Sequence, residues 1–388
     1  MNNIMNTYSR KDLNFETGNG AYLYTIEGEK YLDFVSGVAV NILGHNNEII
    51  VNAIKKQSEK LIHVSNLYYT DNLIKLSEML CEKSGKSSVF FSNSGAESVE
   101  TALKIAKKYG NQKGKSKILY MNNSFHGRTL GALSVTGQTK YQKSFAPLIE
   151  GASITEFNDI DSLNLNFTSD VCAVIIESIQ GEGGIISIDL DFAKQVQKLC
   201  IDNDALLIVD EIQSGIYRTG KLFSYEHFNL DPDVICVAKG LGGGLPIGAT
   251  IVSEKADVLS PGDHGSTFGG NPLVTGVACA ILSHVSDDKF LSENATIADS
   301  INSYLLKKES EYSFIKEIKG KGMLIGIDID GDLKEFVNIA QSNNLLLIGA
   351  GSKTIRLLPP LNLKKNELDD FYIKFDTILK TFENILNN

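Results

Sequence analysis

Two apolar runs in this chain are each closed by a charged residue. In Leu206-Leu207-Ile208-Val209-Asp210-Glu211-Ile212-Gln213 an aspartate ends a stretch with strand character. In Val234-Ile235-Cys236-Val237-Ala238-Lys239 a lysine does the same, followed by Gly240-Leu241-Gly242-Gly243-Gly244. A buried aspartate is costly unless it faces a cation, a metal or a protonated ring nitrogen, although a lone aspartate here would equally serve as a helix cap. Burial lowers the pKa of a lysine, and a neutral amine can form a Schiff base with a carbonyl. A third segment, Ser92-Asn93-Ser94-Gly95-Ala96-Glu97, joins a strand to a helix. Free N–H groups at that helix start, with a glycine permitting close approach, make an anion site; the Ser94 and Glu97 spacing is also that of a capping box, and both readings can hold.

Ligands of open parallel sheets bind at the carboxyl ends of the strands, where all three segments would lie. Asp210 and Lys239 lie 29 residues apart, which fits a strand, a connection and a neighbouring strand. Anion site, buried acid and buried amine together suggest pyridoxal phosphate, whose phosphate, ring nitrogen and aldehyde need these three contacts.

The elements that must position these groups follow from the hydrophobic pattern. Residues 89–91, 118–120, 172–176, 205–209, 234–237 and 249–252 read as strands, and 97–109 and 192–203 as helices with one apolar face. Continuous apolar strands with helices between them predict a mostly parallel sheet covered on both faces. Before this region, residues 20–34 alternate as a hairpin turning at Glu27-Gly28, and a helix runs over about 48–61. After Pro272 one long helix leads to strands near 323–329, 345–348 and 354–358 and a helix near 332–343. A final helix is striped with Leu368, Phe371, Phe375, Ile378, Leu379, Phe382 and Ile385. The fold class is α/β: a large domain, 46–275, with a small α+β domain made of an N-terminal segment, 1–45, and a C-terminal part, 276–388.

Composition narrows the function. The 388 residues suffice for two or three domains, and 43% hydrophobic with 22% charged residues is the balance of a globular chain. A net charge of −10 without a basic block argues against nucleic acid or an anionic membrane as the main partner. No apolar run reaches the roughly 18 residues of a membrane span, and residues 1–16 lack a signal-peptide core. The five scattered cysteines read as reduced packing residues in a cytoplasm, and the six histidines show no metal-binding spacing, so no metal is expected. Arginine occurs only at 10, 128, 218 and 356 in a lysine-rich chain. In such a background arginine marks places that need a planar two-pronged donor, which makes Arg128 and Arg356 candidates for carboxylate binding. Arg218 reads as a structural anchor.

The ordered motifs resemble a known family over nearly the whole chain. They run from Tyr31-Leu32-Asp33-Phe34 and His63-Val64-Ser65-Asn66-Leu67-Tyr68 through Asn93-Ser94-Gly95-Ala96-Glu97 and Phe125-His126-Gly127-Arg128. Gln180-Gly181-Glu182-Gly183-Gly184, Val209-Asp210-Glu211-Ile212-Gln213, Arg218-Thr219-Gly220, Ala238-Lys239 and His264-Gly265-Ser266-Thr267-Phe268-Gly269-Gly270-Asn271-Pro272 complete them. This set resembles the class III aminotransferases of the fold-type I pyridoxal-phosphate enzymes, most closely the acetylornithine aminotransferases. One departure is Gly44-His45-Asn46-Asn47-Glu48, where the family has Gly-His-x-His-Pro; that stretch leads into a helix and carries no catalytic role.

The resemblance implies a mostly parallel seven-stranded sheet and a set of roles. Lys239 would hold pyridoxal 5'-phosphate covalently and then move a proton, and Asp210 would keep the ring nitrogen protonated. Gln213 would contact the ring hydroxyl and Phe125 would stack on the ring. Backbone groups of Gly95 and Ala96 would bind the phosphate, with Thr267 reaching the phosphate of a neighbouring subunit in a homodimer. Arg128 and Arg356 would clamp carboxylates, Ser266 would lie near the substrate, and Glu182 would gate Arg356. The activity so implied moves the side-chain amine of N-acetylornithine to 2-oxoglutarate, in arginine biosynthesis. Relatives acting on ornithine, succinylornithine, acetyllysine or 4-aminobutyrate share the catalytic residues. An aminomutase is disfavoured by the Arg128, Arg356 and Glu182 set, and a non-enzymatic binder by the buried Lys239 and Asp210 together.

Overall fold

A computed structural model describes residues 3–387, so Met1, Asn2 and Asn388 at the ends of the expected ranges 1–45 and 276–388 lie outside the described residues. Three short strands open the chain, β1 (Phe15–Asn19), β2 (Tyr22–Thr25) and β3 (Lys30–Asp33). The hairpin expected from Gly20 onward is β2–β3, and β1 adds an antiparallel strand before it.

The central sheet is built from β4 (Ser88–Ser92), β5 (Lys117–Met121), β6 (Ala152–Thr155) and β7 (Val171–Ile176). A small hairpin, β8 (Ile179–Gln180) and β9 (Ile186–Ser187), precedes its remaining strands, β10 (Leu206–Asp210), β11 (Val234–Val237) and β12 (Gly248–Val252). The seven strands lie in the order β4-β12-β11-β10-β7-β5-β6, and only β12 runs antiparallel to its neighbours. Side chains alternate between two cores. Ile118, Ala173, Leu206, Ile208 and Val234 pack with Val99, Ala102, Leu103 and Ala106 of the Gly95–Asn111 helix, while Leu119, Val174, Leu207, Val209 and Ile235 face the other layer. Six of these strands are apolar runs in the sequence. The seventh, β6, is an edge strand with only Thr155 buried, so it has no apolar run to announce it.

The remaining strands are β13 (Ile315–Lys321), β14 (Leu324–Ile329), β15 (Leu345–Leu346), β16 (Ile348–Ala350) and β17 (Thr354–Leu357). They form an antiparallel sheet β13-β14-β17-β16, while β15 pairs in parallel with β3, joining the two ends of the chain. The Lys365–Leu386 helix covers this junction, with Phe371 stacked on Phe34 at 4.4 Å. Its Glu367 accepts the Ala21 N–H at 2.9 Å through one oxygen and the Lys364 N–H at 2.7 Å through the other. Of the expected stripe, Ile385 is exposed.

The single long helix expected after Pro272 is two helices, Pro272–Val285 and Asp288–Glu311. Asp287 separates them, because its carboxylate caps the second helix by accepting the Lys289 and Phe290 N–H groups. Gly320 and Gly322, where β13 turns into β14, have positive φ of 103° and 56°.

Candidate active site

The strands β5, β7, β10 and β11 are neighbours in one parallel array, so their carboxyl ends open on a common edge. Each end delivers a functional group: Phe125 and His126 beyond β5, Glu177 at the end of β7, Asp210 closing β10 and Lys239 beyond β11. They meet at a cavity of about 450 Å³. Its wall also includes Gly95 and Ala96 from the start of the Gly95–Asn111 helix, and Arg128, Glu182 and Gln213 from loops.

At the helix start, Ser94 Oγ accepts the Glu97 N–H at 3.2 Å, and the Glu97 carboxylate reaches back to the Asn93 N–H at 2.7 Å. Capping and anion site therefore coexist, since the Gly95 and Ala96 N–H groups have no acceptor among the described residues. A side chain at residue 95 would not fit, because its Cβ would lie 2.8 Å from Ile212 on the same wall.

Asp210 is almost completely buried and pairs with no lysine or arginine among the described residues. His126 Nδ1 lies 2.7 Å from Asp210 Oδ2, and the Ile212 N–H is donated to Oδ1 at 2.9 Å. An ionised carboxylate only accepts, so His126 carries a proton on Nδ1 and orients the acid.

Lys239 lines the cavity and is otherwise enclosed by protein. Burial, reinforced by the positive charge of Arg356, lowers its amine from 10.5 to about 8, against the opposing pull of Glu182, Asp210 and Glu177. The amine is thus available as a nucleophile and proton carrier near neutral pH. Its backbone has a left-handed φ of 40°, a strained conformation for a residue with a side chain.

The arginines differ sharply in environment. Arg356, on β17, is fully buried; its Nη1 lies 2.7 Å from Glu182 Oε1 and donates to Gln213 Oε1 at 2.9 Å. Nε and Nη2 of the same guanidinium are buried without partners, leaving one edge of the fork unsatisfied. Arg128 lies exposed at the cavity mouth, its guanidinium 3.7 Å from the ring centre of Tyr141 and 5.6 Å from that of Phe125. It makes no ion pair among the described residues. Arg218 is buried among backbone, donating to the carbonyls of Met323 and Pro359.

Three expected site residues do not themselves line this cavity. Arg356 meets its wall through Glu182 and Gln213. Ser266 reaches it indirectly, with its Oγ accepting from Asn93 Nδ2 at 3.0 Å. Thr267 is exposed on the same loop. Conversely, Glu177 and the His126 partnership escaped the sequence reading. Glu177 carries the signal that revealed Asp210, an acid closing an apolar strand; the pairing of His126 needs the fold. Burial, with the charge of Asp210 nearby, raises Glu177 to about 7.

Residues 5–379 match the aminotransferase class-III family. The chain belongs to the class III aminotransferases. It is 47% identical over 385 residues to an acetylornithine aminotransferase of Clostridium acetobutylicum, covering 97% of this chain and 99% of that protein. An acetylornithine aminotransferase of Aquifex aeolicus is 45% identical, with 95% and 97% covered. Among solved structures, an N-acetylornithine aminotransferase from Stenotrophomonas maltophilia superposes with a TM-score of 0.85 at 31% identity, covering 97% of both chains. An ornithine aminotransferase from Toxoplasma gondii, described with partial occupancy of PLP at its active site, gives a TM-score of 0.94 at 30% identity, covering 100% of this chain and 93% of that one.

Class III aminotransferases work with pyridoxal 5'-phosphate, and the donor set of this aminotransferase fits that group. Unpaired N–H groups stand where a phosphate would bind, an enclosed amine where an aldehyde would, and a histidine-held carboxylate where a ring nitrogen would. Among the described residues no cluster of side chains could hold a metal ion, and no helix is long and apolar enough to cross a membrane.

The lowered Lys239 pKa can be read in the cofactor-free aminotransferase. Reductive methylation with peptide mapping should show Lys239 labelling half-maximal near pH 8, moving upward in Arg356→Met; a half-point at the ordinary 10.5 would contradict the assigned environment.

Proposed function

We propose that this aminotransferase takes the side-chain amine of N-acetylornithine and passes it to 2-oxoglutarate, giving N-acetylglutamate semialdehyde and glutamate. In a cell the reaction would serve arginine biosynthesis. The observation that carries this reading is the Arg356–Glu182 pair, a guanidinium whose charge is masked by a movable acid. A donor without a carboxylate at that end finds the pair closed. A five-carbon dicarboxylate displaces Glu182, which is 27% exposed at its side chain, and uses the free edge of Arg356. Arg128, held on an aromatic face and free of acids, would take the carboxylate common to both substrates. The names of the curated relatives support the same donor.

Pyridoxal 5'-phosphate, when bound, supplies an aldehyde that takes up the amine and a ring that withdraws electrons. Lys239 Nζ would hold the cofactor and serve as the proton carrier beside it. Asp210, oriented by His126, would hold the ring nitrogen's proton. Gly95 and Ala96 would bind the phosphate through their N–H groups, Phe125 would provide a flat wall, and Gln213 would contact the ring hydroxyl.

The small domain comprising 1–45 and 276–388, around a large domain of 46–275, is supported by sheet membership, since the central sheet draws only on residues 88–252. A homodimer is supported by an apolar surface on which Leu67, Tyr68, Tyr69 and Phe268 are all more than 60% exposed. Thr267 is exposed beside Phe268 on this surface, from which it would approach the phosphate site of a second copy. Sedimentation at micromolar concentration should give twice the chain mass, and a monomer there would remove the shared-site reading.

The decisive experiment is a visible spectrum of the cofactor-loaded protein. N-acetylornithine alone should bleach the yellow band and 2-oxoglutarate should restore it; bleaching only by ornithine or 4-aminobutyrate would keep the class and change the donor. Glu182→Ala should raise kcat/KM for glutamate relative to the donor by ~10-fold, the equivalent of about 1.4 kcal/mol. Unchanged constants for both would end the gate reading.

A further inference from the structure

Glu177 is 6% exposed on the cavity wall and makes no ion pair among the described residues. An acid buried without a cation is costly, so its hydrogen bonds must account for it. Its two oxygens serve different loops: Oε2 accepts the Phe125 N–H at 2.9 Å, and Oε1 accepts the Gly181 N–H at 3.2 Å. Phe125 opens the turn that carries Arg128, and Gly181 immediately precedes Glu182. A second link, Gln180 Nε2 to the Asn122 carbonyl at 2.8 Å, ties the bases of the same two loops. The charged and titratable groups facing Glu177 are His126 and Asp210, with Lys239 across the cavity.

We propose that Glu177 is a positioning residue that holds the Arg128 loop and the Glu182 loop in register, so that one buried carboxylate sets both carboxylate-handling arms of the pocket. A carboxylate is required because it offers an acceptor to each loop. The isosteric amide offers one acceptor and turns its NH2 toward the other N–H, leaving that donor unpaired. This inference rests on the roles given above to Arg128 and Glu182.

The test is Glu177→Gln in the full-length, cofactor-loaded protein. Hydrogen–deuterium exchange should accelerate in peptides spanning 124–129 and 180–184 together, with the rest of the central sheet unchanged. KM for the amine donor and for 2-oxoglutarate should rise together by roughly 10-fold, the scale of one unpaired buried N–H, while kcat changes less. Glu177→Asp, one methylene too short to span both loops, should reproduce the pattern if the amide variant does not fold. Faster exchange in one loop only would overturn the proposal. So would wild-type KM values in Glu177→Gln alongside raised values in Arg128→Ala. If Arg128→Ala itself leaves every KM unchanged while both loops loosen in Glu177→Gln, the substrate reading falls and the tie between the loops stands.

Discussion

A parallel sheet brings the carboxyl ends of its strands to one edge, and in this chain that edge collects charges which the interior would otherwise reject. Lys239, Asp210 and Glu177 all follow apolar strands whose side chains fill two dry cores. The strands fix the backbone of each group to a neighbour, and the low polarity of the surroundings then shifts the protonation of Lys239 and Glu177. A lysine amine is brought down toward neutrality while a carboxyl is pushed up to meet it. These opposite shifts have one main cause, burial, and they bring Lys239 and Glu177 to neighbouring pH values in one cavity.

Around this fixed floor the substrate-facing groups are held more loosely and by softer contacts. Arg128 rests on the face of Tyr141, and its guanidinium has no acceptor among the described residues. Arg356 comes from a different sheet, and Glu182 meets it from a hairpin that leaves the central sheet beyond β7. The Gly351 N–H donates to the Glu182 carbonyl at 3.0 Å, so the backbone of that hairpin is anchored to the same strand region as Arg356. The Glu182 backbone is thereby held beside Arg356, and under the proposed gate only its side-chain torsions would change.

Much of this was legible in the sequence, for physical reasons that also explain the omissions. The five interior strands are buried on both faces and so are written as apolar runs, and the edge strand β4 still carries Val89-Phe90-Phe91, whereas the opposite edge strand β6 leaves no such trace. Asp210 and Lys239 were visible because each interrupts an apolar run; Glu177 does the same and could have been found by that rule. His126 could not, since its bond to Asp210 spans 84 residues of sequence. The pairing of Arg356 with Glu182 was reachable only through family resemblance, because no local pattern links a β17 residue to a glycine-rich loop. The break between the helices at Asp287 was a local signal, an aspartate at a helix start, flanked on both sides by residues a helix accommodates.

The parallel pairing of β3 with β15 has a consequence for the order in which the molecule is made. Leu32 and Asp33 find their strand partners in Leu345 and Leu346, and Phe34 finds its ring partner in Phe371. A ribosome releases the N-terminal strands long before those residues exist. Until then β3 has an open edge and an uncovered apolar face, which a chaperone or the already folded central sheet must shield from other nascent chains. The central sheet, complete at residue 252, can form while the C-terminal part is still being translated. Synthesis would thus close the molecule from its middle outward, with the last helix sealing the first strands.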